Sequence, residues 1–303
     1  MRLNKLDLNL LICLDALLAE KNVSRAADRS FLSQPAMSAA LARLRAHFQD
    51  ELLVQVGRTM TLTSFAQTLA KPVRDVLLQM QAITSWKPDF DPAKSDRLIT
   101  IQASDYVTSV FMVNVFERAW LEAPSMQFDL RLLDTTYKEQ LDSGAVDILI
   151  VPAGLTSNKH PSANLFTDSW SCIVWLDNPL VGDQISIDQY LSLGHVISEW
   201  GGRLVALDEL LMKQGGYARR REIVAPSFSL TPQLVMRTNR IATVQTRLAQ
   251  QMASQLPLRL IPCPVCIPPI IEAMQWHRYQ EQDPAIQWFC NLLRAVGQDL
   301  AAC

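Results

Sequence analysis

Two stretches of this 303-residue chain combine residue types and spacings that could do chemistry. One is Cys263-Pro264-Val265-Cys266, the spacing of a redox dithiol or of half a metal site. It lacks a second ligand pair and is followed by Pro268-Pro269, so the reading favoured here is a structural crossover, with any redox role left open. The other is a run of small and polar residues: Ser24 and Arg25, then Ser33, Gln34, Pro35, Ser38, Ala39, Ala42 and Arg43, with Arg58 further on. On a helix opening at Ser33-Gln34, free N–H groups can hold a phosphate. Short side chains let such a helix sit deep in a DNA major groove, with Gln34 or Ser38 in reach of base edges.

The surrounding elements must position that face. Leu6, Leu10, Leu14, Leu17 and Leu18 recur at helical spacing and predict a helix from about Asp7 to Glu20. Ser24 is a good N-cap for a short helix, Arg25–Arg29, in which Ala26 and Ala27 permit close approach of a neighbour. Ser33 caps a third helix, whose Ala36, Met37, Ala40, Leu41 and Leu44 form one apolar face. Proline is tolerated in its first turn. Leu52–Gln55 and Met60–Leu62 flank Val56-Gly57-Arg58-Thr59, a β-hairpin wing with Arg58 near its tip. From Thr63, Ala66, Leu69, Val73, Val76, Met80 and Ile83 are spaced 3-4-3-4-3, a heptad seam suited to pairing with a second copy, which Pro72 should kink or loosen.

Composition supports a basic head on an acidic body. Residues 1–88 carry 11 Lys and Arg against 7 Asp and Glu, and the other 17 bases and 23 acids lie beyond. Hydrophobic residues at 49% and charged residues at 19% exclude a disordered or collagen-like chain. There is no secretory signal and no membrane-spanning run, and the six scattered cysteines read as reduced thiols, so the expectation is a cytoplasmic protein.

The segment Trp86-Lys87-Pro88-Asp89-Phe90-Asp91-Pro92 reads as a hinge. Beyond it short apolar runs alternate with helical patterns, which predicts parallel βαβ units. Strands are expected at 97–103, 127–133, 147–151, 172–175, 195–198, 221–224, 241–244 and 258–261, over a length that suits two lobes. Ligands of open α/β sheets bind beyond the carboxyl ends of strands. That rule selects Ser104, Asp105, Thr135, Thr136, Pro152, Trp200 and Thr246, with Tyr106 and Phe228 as nearby aromatics; Ser104 and Thr136 also open helices. Catalysis is not expected. No GxSxG, GxxxxGK[ST] or HExxH occurs, and His47, His160, His195 and His277 are far apart, with His277 read as a structural strand-end residue. Arg219-Arg220-Arg221 is read as a solvated face or lobe-interface cluster.

These residues carry a resemblance. Ser24-Arg25-Ala26-Ala27, Leu32 to Ser38, Leu41 to Arg45 and Gly57 to Thr63 resemble the winged helix-turn-helix of LysR-type transcriptional regulators. Leu6 to Leu11, Phe48 to Leu53 and the tail Trp276 to Trp288 are most similar to the branch of nodulation-gene and aromatic-degradation activators. Arg45 stands where many members carry an acid, and Leu53 where Phe is commoner.

The resemblance implies a winged helix-turn-helix at 1–63, a dimerisation helix at 64–88 with Leu69, Val73, Val76, Met80 and Ile83 in the seam, and a periplasmic-binding-protein-like effector domain at 89–303. Lobe I would comprise about 95–161 and 267–303, and lobe II about 162–266. It further implies an operator of interrupted palindromic DNA, a small aromatic effector between the lobes, RNA polymerase as a partner and a homodimer or homotetramer, without cofactor or metal. The alternative kept open is a small-molecule-binding protein or enzyme whose N-terminal helical domain binds a protein partner.

Overall fold

The computed structural model describes residues 7–85, 90–200, 204–205 and 207–302; residues 86–89 of the expected hinge lie outside them. The chain divides into two units, Met1–Trp86 and Lys87–Cys303.

The first unit contains α1 (Asn9–Glu20), α2 (Val23–Arg29), α3 (Gln34–Phe48), β1 (Leu53–Val56), β2 (Thr59–Leu62) and α4 (Ser64–Ser85). Lys21 turns left-handed at φ 49° and ends α1. The cap of α2 is Asn22, not Ser24: its side chain accepts from Arg25 N–H at 3.0 Å. A cap needs extended backbone, which Asn22 has (φ −156°, ψ 125°), whereas Ser24 is already inside the first turn. Ser33 caps α3, its Oγ accepting from Ala36 N–H at 3.3 Å. Met37, Ala40, Leu41 and Leu44 pack with Leu14, Leu17, Ala26, Ala27 and Leu53. Ala36, placed on that face by periodicity, is exposed in the first turn.

β1 and β2 pair antiparallel across a two-residue turn. Gly57 takes φ +63° there, a conformation glycine adopts without strain. α4 runs on through Pro72 as one helix. Its seam divides: Ala66 and Val73 are buried in the unit's own core with Leu69 packed against it, while Val76 and Ile83 are exposed.

The second unit has two mixed sheets rather than the expected parallel ones. The first runs β4 (Gln127–Leu132), β3 (Leu98–Ala103), β5 (Ile148–Pro152), β13 (Ile270–Trp276), β6 (Ser162–Asp168). The second runs β10 (Arg220–Ala225), β8 (Gly194–Trp200), β11 (Ile241–Gln245), β7 (Trp170–Trp175), β12 (Leu258–Pro262), with β9 (Leu204–Val205) on β8. β3 is parallel to β4 and β5, and β8 to β10 and β11. β13 is antiparallel to β5 and β6, and β7 to β11 and β12.

The reason is the double crossover. A chain passing from one lobe to the other and back must re-enter each sheet against the direction of the βαβ strands. The outward passage, expected near residue 162, lies between Asp168 and Trp170, so β6 belongs to the first lobe; the return falls between Pro262 and Ile270. The helical chain after β3 starts at Asp105. α5 (Asp105–Val107) passes through a π turn (Thr108–Met112) into α6 (Val113–Glu122). α7 (Tyr137–Asp142), α8 (Ile187–Ser192), α9 (Leu207–Gln214), α10 (Thr231–Leu234), α11 (Thr246–Ala253) and α12 (Pro284–Ala302) complete the unit. Ile99, Ile101, Ile150, Phe166, Phe111 and Phe289 centre the first lobe's core, and Cys172, Tyr190 and Ile241 one of the second's.

Candidate functional site

In the first unit, the side chains chosen from sequence lie where solvent reaches them. Ser24, Arg25, Ser33, Gln34, Pro35, Ser38, Ala39, Ala42, Arg43 and Arg58 are all exposed. Gln34, Ser38 and Ala42 run at four-residue intervals along α3, on an exposed stripe beside the one formed by buried Met37, Leu41 and Leu44. The cations are not equally available. Arg25 donates to the Glu20 carbonyl at 2.6 Å, and Arg43 makes a longer contact with Asp7 Oδ2 at 3.4 Å.

Sequence reasoning missed two supports of this face. Arg45 donates to the carbonyl oxygens of Glu51 and Leu53 at 2.8 and 2.9 Å, tying the end of α3 to the wing. Asp50 accepts from Leu52 N–H and from the Thr63 hydroxyl, both at 2.7 Å, and Thr63 in turn accepts from Ala66 N–H at 3.0 Å. Arg45, which departs from the acid that the resemblance leads one to expect, therefore has a local function.

In the second unit, most of the strand-end residues serve the fold before any ligand. Ser104 caps α5, accepting from Val107 N–H at 3.2 Å. Asp105 reaches across to the second lobe, accepting from Phe228 and Ser229 N–H at 3.2 and 2.7 Å, and the hydroxyls of Ser109 and Ser229 meet at 3.2 Å. Tyr106 and Phe228, expected as cleft aromatics, are buried in one core with ring centroids 6.4 Å apart.

Thr136 is not a side-chain cap; its N–H and hydroxyl both donate to Asp134 Oδ1 at 2.7 Å. Three carboxylate hydrogen bonds, from Thr136 twice and from Gln140, outweigh burial and hold the Asp134 carboxyl below its usual range. Thr135 is exposed beside it, and Pro152 ends β5 opposite Glu272. Trp200 ends β8, paired with Leu204; its side chain lies outside the described residues.

The crossovers gather a polar cluster that periodicity did not reveal. Tyr106 Oη donates to Asp168 Oδ2 at 2.7 Å, and Asp168 also accepts from Ser169 and Arg247 N–H at 2.8 and 3.2 Å. Burial, then the Asp168 charge, pushes the Tyr106 phenol up, so it acts as a neutral donor. Glu272 on β13 is 2% exposed. Burial first, and Asp168 second, pushes its carboxyl up to about 8.

The Thr246 hydroxyl meets those of Ser169 and Ser171 at 2.8 Å each. A cavity of about 370 Å³ opens here, lined by Thr167, Asp168, Ser169, Thr246, Arg247, Gln250 and Pro269. Thr246 is the expected effector residue that lines it. Asp168 and Glu272 escaped notice because no strand was expected at 162–168 or around position 272.

Arg219 is also not solvated. It is buried between Asp208 and Glu209, 2.8 Å from Asp208 Oδ2. Burial alone would lower its affinity for the proton, but Asp208, Tyr190 and Glu209 reverse the effect. Arg220 and Arg221 do behave as surface cations, paired with Glu222 and Glu199. Cys263 is half-buried beside Cys172, in the core that includes Tyr190, while Cys266 is exposed. Among the described residues no group of three or more His, Cys, Asp or Glu could hold a metal, and no helix is long and apolar enough to cross a membrane.

This architecture has known counterparts. Residues 8–67 match the bacterial regulatory helix-turn-helix protein profile of the lysR family, and residues 93–298 match the LysR substrate binding domain. The chain is 44% identical to nodulation protein D 2 of Rhizobium tropici over 97% of its own length and 93% of that protein's. It is 39% identical to nodulation protein D 1 of Bradyrhizobium diazoefficiens over 100% and 96%. A probable transcriptional regulator from Pseudomonas aeruginosa superposes with TM-score 0.66 at 27% identity, covering 97% of this chain and 98% of that one. Full-length OxyR from the same organism gives TM-score 0.74 at 16% identity over 95% of each chain, a likeness of fold alone. The chain belongs to the LysR family of transcriptional regulators, which are DNA-binding proteins and not enzymes.

Proposed function

We propose that this regulator is a cytoplasmic activator that binds an interrupted palindromic operator as a homodimer or homotetramer and responds to a small aromatic effector held between its lobes. The observation that carries the DNA part is the face of α3. Gln34, Ser38, Ala39 and Ala42 are short, exposed and uncharged over a solid apolar back, with a capped N-terminus in front and the Arg58 hairpin at the side. Val76 and Ile83 remain exposed on α4 and are the part of the seam left for a second copy.

For the effector, the support is the cavity at the crossovers. Hydroxyls of Ser169 and Thr246 and the Asp168 carboxyl line it, and a ligand there would touch both lobes at once. Contact with two lobes is what lets binding shift the disposition of subunits and the recruitment of RNA polymerase. The aromatic class follows the resemblance to the nodulation and aromatic-degradation branch.

The test is a footprint on DNA upstream of the regulator's own gene, with and without a panel of aromatic acids and phenols. A protected palindrome whose extent changes with one compound supports both parts. Protection that no compound alters removes the aromatic effector, and no protection at low salt removes the operator.

A further inference from the structure

The turn joining α2 to α3 holds a residue that is unfavourable in the free protein in two ways. α2 closes with Phe31 N–H bonded to the Asp28 carbonyl at 3.2 Å and Leu32 N–H to the Ala27 carbonyl at 2.9 Å. This paired closure requires left-handed backbone at its middle position, usually occupied by Gly or Asn. Here the position is Phe31, with φ +54°. A bulky side chain in that region crowds the following carbonyl. Burial of the ring offers no compensation, because Phe31 is 98% exposed.

The other left-handed non-glycine residues differ. Leu52, at φ 61°, is 1% exposed and set in the core, and Lys21, Gln49 and Arg237 carry polar side chains. Strain retained without local compensation is typical of residues that act in a complex.

We propose that Phe31 is a DNA-contacting residue whose ring packs against the apolar sugar edge of the operator backbone where α3 enters the groove. Its position argues for this partner. Phe31 lies two residues before Ser33, the α3 cap, in the turn that leads into the exposed Ser33-Gln34-Ser38 stretch, and Leu32 beside it is 40% exposed. Ordering the ring against DNA removes the apolar surface that the free protein leaves in water. The inference rests on the DNA-binding reading above and adds to it an apolar, sequence-independent contact.

Wild type, F31A, F31G and F31W should be compared by gel shift on the upstream fragment at two salt concentrations, with a thermal melt of each full-length protein. F31A and F31G should bind about tenfold more weakly, the loss expected for part of one Phe ring no longer buried. F31W should retain wild-type affinity. The dependence on salt should be unchanged, since no charge is removed. F31G should melt no lower than wild type, because glycine accepts the left-handed backbone. Undiminished F31A binding beside normal wild-type binding overturns this inference alone. A lower melting temperature for F31G also overturns it, by assigning the ring to the scaffold. Failure of wild type to bind removes the DNA reading and this inference with it.

Discussion

The two units handle polar chemistry in opposite ways. Among the described residues of the N-terminal unit, every buried side chain is apolar or Cys13, and the groups suited to recognition point outward. The second unit buries Gln102, Asp168, His195, Asp208, Glu209, Arg219 and Glu272. A helical domain of this size can satisfy its backbone internally and leave its surface for a partner. A two-lobed domain has to hold two sheets together across crossovers, and there polar side chains carry out the joining.

The largest expected effect sharpens that contrast. Arg219→Ala would leave Asp208 and Glu209 buried without their cation, which costs about 3–5 kcal/mol. The second unit should unfold at a much lower temperature while the first keeps its helicity. A loss below about 1 kcal/mol would show the cluster to be dispensable. Next in size, Ser38→Glu places a carboxylate on the α3 face, and operator affinity should fall at least about a hundredfold. Its elution on size exclusion should match wild type, and retained specific binding would remove α3 as the recognition helix.

A third test concerns the divided seam of α4. Val76→Ser with Ile83→Ser removes exposed apolar surface and should weaken self-association by about tenfold in sedimentation. Val73→Ser, on the buried part, should lower the melting temperature instead. If Val76 and Ile83 affect only stability, the seam is not an interface.

A fourth test is the pH dependence set by Glu272. Its carboxyl is pushed up to about 8 in the folded protein, above the usual value near 4.5. The folded state therefore binds the proton more tightly, and this contribution to stability is complete at low pH and lost as pH rises toward 8. Glu272→Gln should remove that slope and raise the melting temperature at pH 8 by about 10 °C, while leaving it near wild type at low pH. An unchanged slope would mean that Glu272 titrates normally.

Legibility followed the same division. The caps, turns and periodicity of residues 7–85 are local signals, so the α3 face and the wing could be read directly, apart from Ser24 being taken for the cap that Asn22 provides. In the second unit the helices and most strands were visible, but β6 was not, and of β13 only its end, before His277, was read. Ser162–Asp168 mixes polar and apolar residues, and Ile270–Trp276 follows two prolines that suggested irregular chain. With those strands went the mixed sheet order, Asp168 and Glu272. Tyr106 and Phe228 are buried in the first lobe's core, since a residue after a strand end can turn into a core as readily as into a cleft.

By itself the sequence determined the family, the two-part organisation and the outward chemistry of the helix-turn-helix, because each depends on residues within a few turns of one another. Only the tertiary structure decided which strand-end residues are spent on the fold, where the lobes cross, and which ionisable groups are forced together. Those outcomes depend on burial and on contacts between residues such as Asp105 and Ser229, or Tyr106 and Asp168, that are 124 and 62 positions apart. No local pattern encodes the distance between them.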